Sequence, residues 1–144
     1  MIDSERFVRA LAQALPEAFA GLDLAEQFSS NDPAVPDENW WVTIALSRAV
    51  VWLSSQALEL DVRAQTTTIL PGGDDPLRRF FDFIESELRL RGGAPGWMQV
   101  ELFEGVAWTE AVIEFLGPLT VASLRDAQRT LAWCNTMIGR WRAP

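Results

Sequence analysis

The sequence predicts an all-α fold, a single compact bundle of about five to six helices over residues 1–144 with no substantial β-sheet. Apolar residues recur at helical spacing along most of the chain. Short breaks rich in Pro, Gly, Asn and Asp separate these segments. The chain has 144 residues, of which 49% are hydrophobic and 22% charged, as in an ordinary globular domain.

The first helical segment begins near the amino terminus. Asp3 or Ser4 can cap it, and Phe7 and Leu11 begin an apolar stripe at spacings of three and four residues. Pro16 lacks the backbone N–H that a continuous helix needs, so we expect a kink or a restart there.

The next segment is predicted to be the central helix. Residues 29–37 form a loop, and a helix runs from Glu38 to about Leu60. It is apolar nearly all round, which is typical of a helix inside its domain. Arg48 is the exception, and we expect it to form a structural ion pair or to extend its charged end to solvent.

The second half adds three helical regions after an ambiguous stretch. Residues 63–70 have strand propensity, but without a visible partner strand we interpret them as an extended connector. A helix follows over residues 74–91 and ends at Gly92. Residues 97–118 predict one or two buried helices, and a last helix carries a narrow apolar seam with arginines at its end. The stripe of the 74–91 helix contains Leu77, Phe80, Phe81, Ile84 and Leu88.

Missing residue types narrow the possible chemistry. The chain has no His and no Tyr, and all 12 of its cationic residues are Arg. A serine or cysteine nucleophile therefore lacks the usual His or Lys base, and Schiff-base chemistry lacks its Lys. The lone Cys134 excludes an internal disulfide and predicts a packed thiol. No glycine motif for nucleotide binding occurs.

Regularly spaced glutamates are the remaining candidates for chemistry. Glu101 and Glu104 lie one helical turn apart, as do Glu110 and Glu114. A magnesium site made of carboxylates alone stays an alternative, but di-metal bundle sites use Glu-x-x-His motifs that this chain cannot form. We therefore expect no enzyme activity, no metal and no cofactor, and interpret these glutamates as an acidic surface.

The net charge of −8 indicates the kind of partner. A nucleic-acid-binding protein needs a cationic face, so we expect no nucleic-acid partner. No segment predicts a signal peptide or a membrane span, so we expect a cytoplasmic protein with no membrane partner. An acidic surface suits a basic protein partner.

Three short segments suggest a family. FFDFIE at 80–85, LFEGVAW at 102–108 and FLGPLT at 115–120 resemble a pattern of small acidic helical bacterial immunity proteins, over about residues 76–125. That resemblance implies a protein that binds a cognate toxin, expected to be basic, and neutralises it by occluding its active site. A non-catalytic adaptor, a secretion chaperone or a homodimeric structural module is the alternative.

Candidate partner-binding residues come from two regions and from tryptophans outside the apolar stripes. Tryptophan anchors protein interfaces more often than most residues do. The acidic loop of residues 32–40 and the helix face that contains Glu101 and Glu104 are the expected contact regions. The candidates are Asp32, Asp37, Glu38, Trp40, Trp97, Glu101, Glu104 and Trp108.

Overall fold

The computed structural model describes residues 3–25, 38–61, 63–64, 66–103 and 110–130, with only the backbone for residues 38–40 and 130. In these ranges the protein is mostly helical, with a small antiparallel β-hairpin. The α-helices are α1 (Asp3–Ala14), α2 (Glu38–Gln56), α3 (Asp74–Arg91), α4 (Gly96–Phe103) and α5 (Pro118–Thr130). The strands are β1 (Leu58–Asp61) and β2 (Thr66–Ile69). Two 3₁₀ helices cover Pro16–Phe19 and Glu110–Phe115.

The amino-terminal part follows its sequence pattern. Phe7 and Leu11 of α1 are fully buried, and Asp3 and Glu5 occupy the first helical turn, where negative charge is favourable. The predicted restart at Pro16 is confirmed, because the chain leaves α1 and enters the first 3₁₀ helix at that residue.

Helix α2 packs against α1, α4, β1 and the first 3₁₀ helix, which confirms its central position. Burying each aliphatic or aromatic side chain of this core stabilises the fold by roughly 1.5–3 kcal/mol. The buried residues of α2 are Val42, Ala45, Leu46, Ala49, Val50 and Leu53.

The hairpin corrects two predictions. Helix α2 ends at Gln56 rather than near Leu60, and the stretch interpreted as an extended connector contains strand β2. The Ala57 carbonyl accepts a hydrogen bond from the Leu70 N–H at 2.9 Å, so the chain enters a strand ladder after the helix. Leu58 pairs with Ile69 in the resulting antiparallel register. Strand β1 is the partner that the sequence did not reveal.

Helix α3 matches its prediction. All five residues of its predicted stripe are buried, and Asp74 and Asp75 lie in its first turn. Gly92 takes the left-handed conformation with φ 74° and donates its N–H to the Leu88 carbonyl, as the glycine signal predicted.

The region predicted to hold one or two buried helices contains α4 and the second 3₁₀ helix. Met98, Leu102 and Phe103 are buried on α4, and Val112 and Phe115 are buried on the 3₁₀ helix. Helix α5 is described as far as Thr130, so the rest of the predicted last helix, with Cys134, lies outside the described residues. Within the described ranges, no helix is both long and apolar enough to cross a membrane.

Candidate functional site

A dense ionic network joins α1 to α3. Arg6 donates two hydrogen bonds to the Glu87 carboxylate, at 2.7 and 2.9 Å, and Arg91 donates a third at 3.2 Å. Only 5% of the Glu87 side chain is exposed, so this carboxylate needs its arginines. Asp3 accepts hydrogen bonds from Arg6 at 3.1 Å and from Arg91 at 2.9 Å. We call this surface, together with Arg79 and its partners, the α1–α3 face.

The network shifts the pKa values of Asp3 and Arg6. Burial alone would raise the pKa of Asp3, but hydrogen bonds from Arg91 and Arg6 outweigh it and hold that pKa below its usual value. Hydrogen bonding to Glu87 raises the pKa of Arg6. Asp3 and Arg6 are therefore charged at neutral pH, and their ion pairs join α1 to α3.

Arg79 forms a second link on the same face. It donates to the Glu17 carboxylate at 3.0 Å, to the Ala14 carbonyl at 2.7 Å and to Asp75 at 2.9 Å. The hydrogen bond from Arg79 lowers the pKa of Glu17. Arg79 thereby fixes the chain between α1 and the first 3₁₀ helix onto α3.

Trp97, a predicted interface anchor, packs within this structure. The Arg91 guanidinium lies 5.6 Å from the centres of both the Phe7 and Trp97 rings. Those two rings meet edge to face at 5.3 Å. Trp97 is half-buried, and its role as an interface anchor stays a prediction.

Glu85 holds the start of α5. Its buried carboxylate accepts hydrogen bonds from the Leu119 N–H at 2.7 Å, the Thr120 N–H at 3.0 Å and the Thr120 hydroxyl at 2.9 Å. A Cβ at Gly117 would lie 2.3 Å from this carboxylate, so glycine allows its close approach. The first turn of α5 has no acidic residue of its own, and Glu85 supplies the charge that a helix N-terminus favours.

Four carboxylates elsewhere have no arginine partner among the described residues. Glu59 and Asp61 lie on β1, and Glu110 and Glu114 lie on the second 3₁₀ helix, which packs against β2. All four residues are exposed. Within the described ranges none of them forms an ion pair, although Asp61 accepts hydrogen bonds from two backbone N–H groups of the hairpin turn. We call this group the acidic edge.

A second unusual surface lies on α2. Ile44 is 43% exposed and Val51 is 60% exposed, although α2 is the central helix. They border a groove of about 630 Å³, the α2 groove, which also contains Arg48 and Glu101. Arg48 donates from Nε to the Ala18 carbonyl at 2.7 Å. In the described part of the chain it forms no ion pair, unlike the pairing expected for it.

The two predicted site residues whose side chains the structure describes, Glu101 and Trp97, lie on different surfaces. Glu101 lines the α2 groove and Trp97 belongs to the α1–α3 face. The backbones of Glu38 and Trp40 form the start of α2, but their side chains lie outside the description. The remaining predicted site residues lie outside the described ranges, namely Asp32, Asp37, Glu104 and Trp108.

Sequence reasoning missed two contributions to these surfaces. The strand containing Glu59 and Asp61 was assigned partly to a helix, so its connection through β2 to the second 3₁₀ helix was not visible. The alternation of apolar and acidic residues over Leu58–Asp61 was the available signal. The exposed side of α2 had no sequence signal, because an all-round apolar helix does not show which side lacks a neighbour.

Comparisons leave the family open. No protein family, no curated protein and no solved structure matches this chain. Among the described residues, no three His, Cys, Asp or Glu side chains are grouped so that they could hold a metal ion.

Proposed function

We propose that this protein is an immunity protein that binds a basic bacterial toxin and neutralises it by occluding the toxin's active site. The observation that supports this best is the acidic edge. Four exposed carboxylates lie on β1 and on the second 3₁₀ helix, which both contact β2, and they have no ion-pair partner in the described chain. The carboxylates of the α1–α3 face, in contrast, are paired.

The electrostatics of the edge favour a cationic protein. Exposed carboxylates keep their hydration and their full charge in the free protein. Their combined electrostatic field attracts a positively charged partner over several ångströms. Complementary charge raises association rates and favours the correct partner over others. Enzymes that act on nucleic acids need cationic surfaces to hold phosphate, so a toxin of that class has the required charge.

Inhibition by binding also fits the residue types of the chain. Occlusion requires a complementary surface and no reactive group. The chain has no His or Lys to serve as a general base or to form a Schiff base. The proposal therefore assigns binding to the acidic edge and no catalytic residue to this protein.

The direct test uses the protein encoded by the gene beside that of this chain, which we expect to be the basic toxin. Isothermal titration calorimetry of the purified pair should show a complex whose affinity falls as salt concentration rises. The double variant Glu110→Gln/Glu114→Gln should bind about tenfold more weakly. The matched control Asp82→Asn/Glu5→Gln also removes two negative charges, one from α3 and one from α1. It should retain nearly all of the affinity.

Two results would contradict the proposal. One is the absence of any complex between the folded proteins. The other is an equal loss of affinity in both double variants, since that would assign the effect to net charge rather than to the acidic edge.

A second candidate function is a homodimeric structural module. The exposed apolar residues of α2 favour it, because a central helix rarely leaves such side chains to solvent without a partner. This self-association concerns a different surface from the acidic edge and is compatible with toxin binding.

A further inference from the structure

Strand β1 is an exposed edge strand of the hairpin. In the described ranges the sheet has two strands, and β2 packs against the second 3₁₀ helix. On β1, in contrast, Glu59, Leu60 and Asp61 are all exposed, and Leu60 is exposed by 47%. An edge strand of this kind carries backbone groups that can pair with a further strand.

The register shows which backbone groups of β1 point away from β2. Opposite residues of an antiparallel ladder alternate between pairs that exchange hydrogen bonds and pairs that do not. The Leu70 N–H donates to the Ala57 carbonyl, so these two residues occupy a bonded position. Two residues further along β1, Glu59 therefore bonds to Thr68, and Leu60 follows at a position that is not bonded to β2. The N–H and the carbonyl of Leu60 thus point outward.

The outer edge of β1 offers free backbone groups and two chemically different faces. In the described part of the chain, no other backbone hydrogen bond involves Leu60. Successive side chains of a strand point to opposite faces. Glu59 and Asp61 therefore share one face, and Leu60 lies on the same face as the buried Leu58. A further strand at this edge would meet two carboxylates on one face and leucine on the other.

We propose that the basic toxin adds one of its own strands to the outer edge of β1, antiparallel to it. We call this contact strand addition; it rests on the proposed function and specifies how the toxin is bound. The toxin residue opposite Leu60 would exchange two backbone hydrogen bonds with it. That residue would be apolar, and its two neighbours would be Arg or Lys, opposite Glu59 and Asp61.

Backbone pairing and side-chain pairing have separate effects in such a contact. The main-chain hydrogen bonds provide affinity, and the alternating side chains provide specificity. The side chains of residues that are not hydrogen-bonded to one another lie closest together across an antiparallel ladder. The carboxylates of Glu59 and Asp61 occupy such positions with respect to the added strand, so they favour a strand with a cationic residue at every second position.

The same carboxylates argue against a second copy of this protein at this edge. If β1 paired with β1 of another copy around Leu60, Glu59 would lie opposite Asp61 twice on one face of the sheet. Like charges directly opposite one another destabilise a sheet. A cationic strand would instead pair each carboxylate, and neither has an ion-pair partner within the described ranges. Charge complementarity therefore favours the toxin as the occupant.

Leu60→Pro tests the backbone contact. Proline has no N–H, and an outward position of an edge strand tolerates it because no bond to β2 is lost. Leu60→Thr is the matched control, since it also loses the leucine side chain but keeps the N–H. In calorimetric titration with the protein encoded by the neighbouring gene, Leu60→Pro should bind about tenfold more weakly than Leu60→Thr. Circular dichroism melts verify that both variants are folded.

Amide hydrogen exchange followed by NMR gives a second readout, which needs no variant. In the free protein the Glu59 N–H is bonded to β2 and the Leu60 N–H is not, so the Leu60 N–H should exchange faster. Binding of the protein encoded by the neighbouring gene should slow exchange at Leu60 by about tenfold or more. The slowing at Glu59 should be smaller, because its N–H is already bonded.

Strand addition is overturned if the Leu60 N–H exchanges in the complex as fast as in the free protein. It is also overturned if folded Leu60→Pro binds as tightly as Leu60→Thr. Both results require a complex, so they leave the proposed function standing. The absence of any complex with the wild-type protein would instead contradict the proposed function, and strand addition with it.

Discussion

The α1–α3 face and the acidic edge use carboxylates in opposite ways. On the first, Asp3, Glu17 and Glu87 each contact an arginine from another element. On the second, Glu110 and Glu114 are exposed and form no ion pair with any described residue. The first arrangement connects helices, whereas the second leaves negative charge accessible from outside.

The difference shows how burial determines the role of a charge. A buried carboxylate such as Glu87 loses its water and is tolerated only with strong hydrogen bonds from cations. An exposed carboxylate remains hydrated and contributes little to folding. Substitutions on the α1–α3 face should therefore change stability, and substitutions on the acidic edge should change binding.

The largest effect is expected at Glu87. Glu87→Gln removes the negative charge that Arg6 and Arg91 share and should lower the free energy of unfolding by about 2–3 kcal/mol. Urea denaturation followed by circular dichroism measures it. Glu114→Gln is the matched control on the acidic edge and should change stability by less than about 0.5 kcal/mol. Equal effects at the two sites would remove the distinction between the surfaces.

The next effect concerns the contact between Glu85 and α5. Gly117→Ala places a methyl group 2.3 Å from the Glu85 carboxylate, which must move away from the start of α5. Losing this capping interaction should cost about 1–2 kcal/mol in urea denaturation. At Gly96 a Cβ would meet nothing within 4 Å, so Gly96→Ala serves as control. If the two alanine variants unfold alike, Glu85 does not cap α5.

Acid should reduce the contribution that the ion pairs of the α1–α3 face make to the free energy of unfolding. The pKa values of Asp3 and Glu17 are lowered from their usual 3.8 and 4.5, so the unfolded chain takes up protons first as pH falls. Their stabilisation is present above pH 4.5 and is lost as pH falls through the lowered values. Urea denaturation at a series of pH values should show this loss.

The matched variant identifies the groups responsible. Asp3→Asn/Glu17→Gln should be less stable at neutral pH and should show a shallower decline in acid. A decline as steep as that of the wild-type protein would assign the acid sensitivity to other carboxylates.

The smallest effect on folding is expected at the acidic edge. Glu110→Gln/Glu114→Gln removes two charges that have no described ion pair and should change the free energy of unfolding by about 0.5 kcal/mol or less. Thermal unfolding by calorimetry measures it. A large destabilisation would show that these carboxylates support the fold and would argue against their role as a contact surface.

Local periodicity made much of the fold predictable. The apolar stripe of α3 identified its buried side, and Gly92 identified its end, because both depend on neighbouring residues in the chain. The hairpin was not predictable in the same way. Strand β2 needs a partner, and β1 lies where helical periodicity continues from α2.

The candidate surfaces were less predictable because they depend on distant contacts. Arg6 and Glu87 are separated by 81 positions, and nothing in the sequence shows that they meet. The same applies to Glu85 and the start of α5. Glu110 and Glu114 were interpreted as an acidic surface from the missing His and Lys, but the contribution of Glu59 and Asp61 required the hairpin.

A protection assay tests the central claim most directly. Cells that produce the protein encoded by the neighbouring gene, which we propose is the toxin, would also produce either this protein or a variant at equal levels of folded protein. The variant is Glu59→Gln/Asp61→Asn/Glu110→Gln/Glu114→Gln. We predict that the wild-type protein restores growth and that the variant does so much less. Growth that stays arrested with the wild-type protein, or that both proteins restore equally, would contradict the account.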